Sequence, residues 1–145
     1  MNETFQKLQQ IYTELAQEIS TLERKPRCFN CGACCNFNYF DHIPFLTALE
    51  ILHIQVGLTE NRELHEIINQ QTDENLCPFF LNQSCQAHEL RPLSCRVYFC
   101  NLTYEKHQAS EIYEKYHRKI QQLHEKSGIK YKYMPLVSNL RKLLK

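Results

Sequence analysis

The chain carries eight cysteines, four of them in the eight-position stretch C28-F-N-C31-G-A-C34-C35 and four more at Cys77, Cys85, Cys95 and Cys100. Thiolates at such spacing support three chemistries: cross-linking, disulfide exchange and metal coordination. Cross-linking fits poorly, because Cys34 and Cys35 are adjacent and a bridge between neighbours forces strained geometry. Disulfide exchange by a C-x-x-C motif wants a βαβ setting. Here the motif follows a proline-ended helix and runs into an Asn/Phe-rich loop, and six cysteines would remain without a role. Metal coordination accounts for all eight. In C-x-x-C the backbone turns tightly enough for two sulfurs to reach one ion, and Gly32 relieves the backbone where amides crowd toward the thiolates. Neighbouring side chains diverge, so Cys34 and Cys35 are expected to serve different metals, or one a metal and the other its support. The downstream four, spaced 8, 10 and 5 residues apart, make poor local chelates. Metal binding is therefore expected to stitch the 28–35 loop onto the 77–100 segment, as two four-thiolate centres or one polynuclear centre with spare cysteines. A single four-sulfur site with free thiols is the third arrangement.

The elements that must hold these thiols are mostly helical. Phe5, Leu8, Tyr12, Leu15, Ile19 and Leu22 recur with spacing 3-4-3-4-3, which draws one apolar stripe down a helix of about 20 residues, ended by Pro26. A helix packed on its own domain is favoured over a dimer seam, since three heptads do not define a coiled coil. The stretch DHIPFLTALEILHIQVG, residues 41–57, reads as an extended lead-in and then a helix, with Pro44 near its first turn and Gly57 as its stop. Thr59 is the expected N-cap of a short helix through Leu64, Ile67 and Ile68. TDEN, residues 72–75, breaks the chain. A hairpin is expected around Asn82-Gln83-Ser84, carrying Cys77 and Cys85, and Pro92 opens a helical turn. A second long amphipathic helix starts near Ser110, runs through Ile112, Tyr113, Tyr116, Ile120 and Leu123, and stops at Gly128. IKYKYM, residues 129–134, alternates as a short strand does, and PLVSNLRKLLK, residues 135–145, gives a terminal helical turn or two. The expected fold is a mainly α, small single domain over 1–145. Its N-terminal helix spans 1–25, the cysteine-cluster region 28–100 with its hairpin forms the metal site, and a basic helical region fills 101–145.

Composition narrows the function further. The apolar share of 43% and charged share of 23% are ordinary for a globular chain. Net charge is +1, yet residues 1–100 hold 7 Lys/Arg against 12 Asp/Glu, whereas residues 101–145 hold 10 against 4. Attraction between the two halves, or a solvated helix face at the basic end, is favoured over a surface for an anionic partner, since no block of five like charges occurs. The first twenty residues are polar and amphipathic, not a secretory signal, and no apolar run approaches the roughly 20 residues of a membrane span. The expected setting is the cytoplasm, where thiols stay reduced, with no membrane and no nucleic acid as partner. Tyr113 and Tyr116 sit at core spacing, not on a base-stacking face. His53, His65, His107, His117 and His124 fall on helical segments without ligand spacing, so solvated or capping roles are expected. No serine-histidine-aspartate set, paired carboxylates or phosphate loop is found.

Taken together, C28-x-x-C31-x-x-C34-C35, Cys77-Pro78-Phe79, Cys85 and the stretch RPLSCRVYFC from Arg91 to Cys100 resemble the YkgJ-like cysteine-cluster family, whose CxxCxxCC domain is described by zinc or iron chelation. The resemblance covers roughly residues 28–100 and all eight cysteines fall on its pattern. His88 departs from it, standing where the family often has a tyrosine. The resemblance implies a metal-binding protein with Cys28, Cys31, Cys34, Cys35, Cys77, Cys85, Cys95 and Cys100 as ligands. Some longer relatives are flagellin lysine N-methylases; this chain is short for that apparatus and shows no glycine-rich loop to hold a methyl donor. The choice between zinc and an iron–sulfur cluster stays open, because C-x-x-C-G resembles zinc knuckles whereas C-x-x-C-x-x-C and the proline after Cys77 resemble ferredoxin-type loops, and a thiolate-only set suits both. Two function classes follow: a metal-stabilised binding module, and an iron–sulfur redox protein or component of an oxidoreductase or flagellin-N-methylase-like enzyme. Arg91 and Arg96 are expected beside the sulfurs, where guanidinium donors would offset the thiolate charge. Tyr98 is expected to pack.

Overall fold

A computed structural model describes residues 2–22, 44–73, 76–97 and 106–144. Cys28, Cys31, Cys34, Cys35 and Cys100, with Pro26 and Tyr98, lie outside the described residues. The described part is mainly helical: α1 (Asn2–Ser20), β1 (Phe45–Thr47), α2 (Ala48–Glu60), α3 (Arg62–Ile68), β2 (Phe80–Leu81), β3 (Ser84–Cys85), a 3₁₀ turn (His88–Leu90), α4 (Leu93–Val97), α5 (Lys106–Ser127), β4 (Tyr133–Pro135) and α6 (Leu136–Leu144).

The stripe on α1 packs within the chain, as its pattern requires. Leu8, Tyr12, Leu15 and Ile19 are buried in one cluster with Ile112, Tyr116, Ile120 and Leu123 of α5. The two helices run antiparallel. Lys119 Nζ meets Glu14 Oε2 at 2.9 Å and Lys115 Nζ meets Glu18 Oε1 at 2.6 Å, so ascending positions on α1 face descending ones on α5. These pairs join an acidic helix to the basic C-terminal region, which is the expected attraction between the halves in residue detail. Both are partly exposed, and each is worth at most about 1 kcal/mol. Gly128 ends α5 with φ +76° and its N–H on the His124 carbonyl, the left-handed exit that glycine adopts without cost.

A second cluster gathers Leu46, Ile54, Leu58, Ile68, Phe79, Leu136 and Leu140 with Cys77 and Cys85. The expected hairpin is here: β2 pairs antiparallel with β3, Phe80 opposite Cys85 and Leu81 opposite Ser84. Asn82 and Gln83 turn it with φ of +53° and +64°, the double left-handed pair of a two-residue hairpin loop. Ser84 belongs to the strand, not to the turn. The extended lead-in is β1, and its partner is β4, at the end of the alternating segment, with Leu46 opposite Met134. The terminal helical turns form one helix, α6.

Three sequence expectations on the α2–α3 segment are corrected. Pro44 lies ahead of β1, and α2 starts after Thr47, where side-chain capping is available. The Thr47 hydroxyl accepts from Glu50 N at 3.3 Å while the Glu50 carboxylate accepts from Thr47 N at 2.9 Å, a complete capping box. Gly57 does not stop the helix, which continues to Glu60. Nor is Thr59 a cap, since its hydroxyl donates back to Gln55 O, and Asn61 caps α3 through its side chain on Leu64 N. Gly57 is explained by contact: a Cβ there would lie 2.6 Å and 2.9 Å from the Leu90 methyls. Gly57→Ala is expected to change stability by less than about 1 kcal/mol, because the helix-propensity gain offsets a flexible clash. Gly57→Val, with two more methyls pressed on Leu90, is expected to cost about 2 kcal/mol. Urea unfolding of both variants checks the pair.

Candidate metal centre

Of the eight expected ligands, the described residues contain Cys77, Cys85 and Cys95, each on a different turn around the second cluster. Cys77 precedes the hairpin and is buried, with its carbonyl accepting from Phe80 N at 2.8 Å. It is a free thiol. Cys85 is buried on β3. Cys95 is half-buried in the middle of α4 and packs on the same cluster. The three thus reach one apolar region from a loop, a strand and a helix. Among the described residues no group of three or more His, Cys, Asp or Glu is arranged to hold a metal.

The framework under these turns is tightly bonded. Gln71 Nε2 donates to Phe80 O at 2.5 Å, Gln86 Nε2 to Leu81 O at 2.7 Å, and Arg141 of α6 to the carbonyls of Asp73 and Leu76. Helix α4 is only five residues long and depends on its neighbours. Ser94 Oγ donates to Phe45 O at 2.8 Å, and Leu93 N donates to Glu50 Oε1 at 2.7 Å.

Arg91 and Arg96 stand beside Cys95, and their hydrogen bonds go to carbonyls. Arg91 Nε donates to His88 O at 2.8 Å and its Nη1 to Cys95 O at 3.1 Å. Arg96 Nε donates to Arg91 O at 2.7 Å, its Nη2 to Glu89 O at 2.7 Å, and its guanidinium lies 3.9 Å above the Tyr12 ring. The two motif arginines therefore staple the 88–96 segment to itself and to α1, which fixes the backbone that carries Cys95.

The sequence reading missed Glu50, which sits at the centre of this arrangement. Its carboxylate is 2% exposed and accepts from Tyr12 O–H at 2.8 Å, from Leu93 N and from Thr47 N. Burial raises its pKa, the three hydrogen bonds only partly opposing this. Burial also lifts the Tyr12 phenol well above its ordinary value, and the Glu50 charge lifts it further. Tyr12 accordingly stays a neutral donor. The T47-x-x-E50 signature was the available signal; its links to α1 and α4 join residues 38 and 43 positions away.

Two histidines correct the solvated part of their expectation. His124 is 2% exposed and does cap: Leu49 N donates to its Nε2 at 3.3 Å while its Nδ1 meets Ile129 O at 3.0 Å. The ring ties the start of α2 to the end of α5. His53 is also buried, edge-on to Phe5 and Tyr12. Tyr116 lies in the core and Tyr113 packs against it, as their spacing predicts.

With this framework in view, the comparison with known families is decisive. The model of the CxxCxxCC family, described as "Putative zinc- or iron-chelating domain", matches residues 27–119. The chain belongs to the CxxCxxCC family. All eight cysteines lie inside the match, as do Arg91, Arg96 and the first turns of α5. The CxxCxxCC match also spans Glu50 and the hairpin, whereas the bracing contributed by Tyr12 of α1 and Arg141 of α6 comes from outside it. No curated protein and no solved structure matches the chain. Among the described residues no helix is long and apolar enough to cross a membrane.

The donor set fits the group that the family description implies. Thiolates are the ligands preferred by zinc and by iron–sulfur clusters. Cys77 and Cys85 are 3% and 8% exposed, and a shielded position suits a closed, fully protein-ligated site. A bound ion would supply the link between the two cysteine groups.

Proposed function

We propose that this protein is a thiolate metal-binding protein in which Cys28, Cys31, Cys34, Cys35, Cys77, Cys85, Cys95 and Cys100 hold zinc or an iron–sulfur centre. The metal closes the 28–35 segment onto the 77–100 segment. The observation that carries the reading is the approach of Cys77, Cys85 and Cys95 to one apolar cluster from three separately braced turns. A loop, a hairpin strand and a short helix are stapled there by Gln71, Gln86, Arg141, Glu50 and the two motif arginines. Such bracing restricts the backbone that carries these thiols, which lowers the ordering cost of bringing them onto an ion. Arg91 and Arg96 add positive charge beside thiolates that are negative as a set, while their hydrogen bonds to carbonyls fix the loop. The role supported best is a metal-stabilised module in the cytoplasm, since reduced thiols persist there.

Cys31→Ser tests the ligand set where the motif is most specific. The variant is expected to lose at least half of the metal bound per chain, read by elemental analysis after anaerobic purification, and to be less soluble. An unchanged metal-to-chain ratio would remove Cys31 from the set.

A further inference from the structure

Between α1, α2 and the 88–96 segment lies a groove that contains none of the described cysteines. It has two adjoining hollows. One, of about 310 Å³, is walled by Phe5, Val56, Gly57 and Leu90, with Glu60 at its edge. The other, of about 450 Å³, is walled by Tyr12, Thr13, Ala16 and Arg96, with Glu89 at its edge. Gln9, His53 and Leu90 border both. Volumes of this size accommodate small organic molecules.

Two groups in the groove lack the partners their chemistry calls for. The Arg96 guanidinium is satisfied in part by two carbonyls and the Tyr12 face, and no carboxylate among the described residues forms an ion pair with it. Glu89 meets it through its carbonyl. His53 is 7% exposed, and its Nδ1 has no hydrogen-bond partner among the described residues. Its Nε2 faces the Gln9 amide nitrogen at 3.4 Å; with that amide donating, Nδ1 carries the ring proton and is a donor in waiting. Burial, with the nearby Arg96 charge, holds the ring neutral. Nδ1 is itself shielded from solvent, so a ligand atom relieves this unpaired donor once the ring turns to meet it.

We propose that this groove is a binding site for a small monocarboxylate with an apolar body. The planar fork of Arg96 takes a carboxylate in a way a point charge does not, and the His53 imidazole supplies a further neutral donor. Phe5, Val56 and Leu90 cover the apolar part. Glu60 and Glu89, which also line the groove, oppose each negative charge a ligand brings, so a single carboxylate is tolerated better than phosphate or a dicarboxylate. Because Arg96 also fixes the backbone of Cys95, occupancy of the groove is felt one residue from a proposed metal ligand. The groove does not depend on the metal reading for its own existence.

The test uses hexanoate and hexylamine as probes, titrated into natively purified, isotope-labelled full chain and followed by two-dimensional NMR. Hexanoate is expected to shift the resonances of Gln9, Thr13, His53 and the Arg96 Nε–H saturably at millimolar concentration, with hexylamine at least fivefold weaker. Ala16→Trp, at an exposed position on the rim, is expected to weaken hexanoate at least fivefold with an unchanged circular dichroism spectrum. No saturable shift, equal response to hexylamine, or undiminished binding by the folded Trp variant would each overturn the assignment. Metal content measured on the same sample separates the outcomes: a metal-free chain that binds hexanoate removes the metal reading and leaves this one standing.

Discussion

Glu50→Ala is expected to lower the unfolding free energy by about 4 kcal/mol, measured by urea denaturation at pH 7. The truncation strands three donors in the interior, Tyr12 O–H, Leu93 N and Thr47 N, which are served by this one carboxylate. A stranded buried donor costs about 1–3 kcal/mol, and partial relaxation keeps the sum below three full penalties. Against the 5–15 kcal/mol of a typical domain that is a large fraction. Glu50→Gln keeps one carbonyl acceptor and is expected to cost about half as much, roughly 2 kcal/mol. The pH dependence has a defined sign. Because burial raises the carboxyl pKa in the folded chain, the folded state holds the proton more tightly than the unfolded state does. The stabilisation from that proton is complete below the ordinary carboxylate value of 4.5 and is lost as pH rises through the raised one. The stability of the native chain relative to Glu50→Gln should therefore fall as pH is raised from 4.5. A difference that instead grows with pH would show that hydrogen bonding, not burial, governs the group.

Phe79→Ala is the second large effect, expected at about 3–5 kcal/mol in the same measurement, the range for deleting a fully buried aromatic ring. Phe79 is 2% exposed, in the second cluster, between Cys77 and the hairpin that carries Cys85. Its carbonyl also accepts from Gln86 N at 2.7 Å, so the residue helps to set the spacing of the two thiols. Metal content is expected to drop in step with stability. Phe79→Leu, which keeps most of the apolar volume, is expected to recover more than half of both. A Phe79→Ala chain of native stability would mean that the third residue of Cys77-Pro78-Phe79 is not a core residue.

How much of this could be seen in the sequence depended on whether an interaction is local. The stripes of α1 and α5 were legible because each uses one repeating face, and burial follows that face along its length. The hairpin was legible from Asn82-Gln83-Ser84 between short apolar runs, although Ser84 belongs to the strand. The start and stop of α2 were not. Pro44 and Gly57 resemble boundary residues, yet the first is followed by a strand and the second makes room for Leu90, 33 positions later in the chain. The T47-x-x-E50 box was present to be read, but its reach to Tyr12 and Leu93 is a tertiary fact. The His124 ring meets Ile129 O close by in the chain, but its link to Leu49 spans 75 residues and leaves no local signal. The cysteines were the reverse case: eight thiols on one spacing pattern identify the family, while the grouping of Cys77, Cys85 and Cys95 about one cluster needed the fold.

Metal analysis of reduced, anaerobically purified protein bears most directly on the proposed role. The expected result is stoichiometric zinc in a colourless chain, or iron with acid-labile sulfide in a brown one, and loss of compact structure once a chelator strips the metal. A well-folded chain that contains neither element, with its thiols titrating as eight free sulfhydryls, would contradict it.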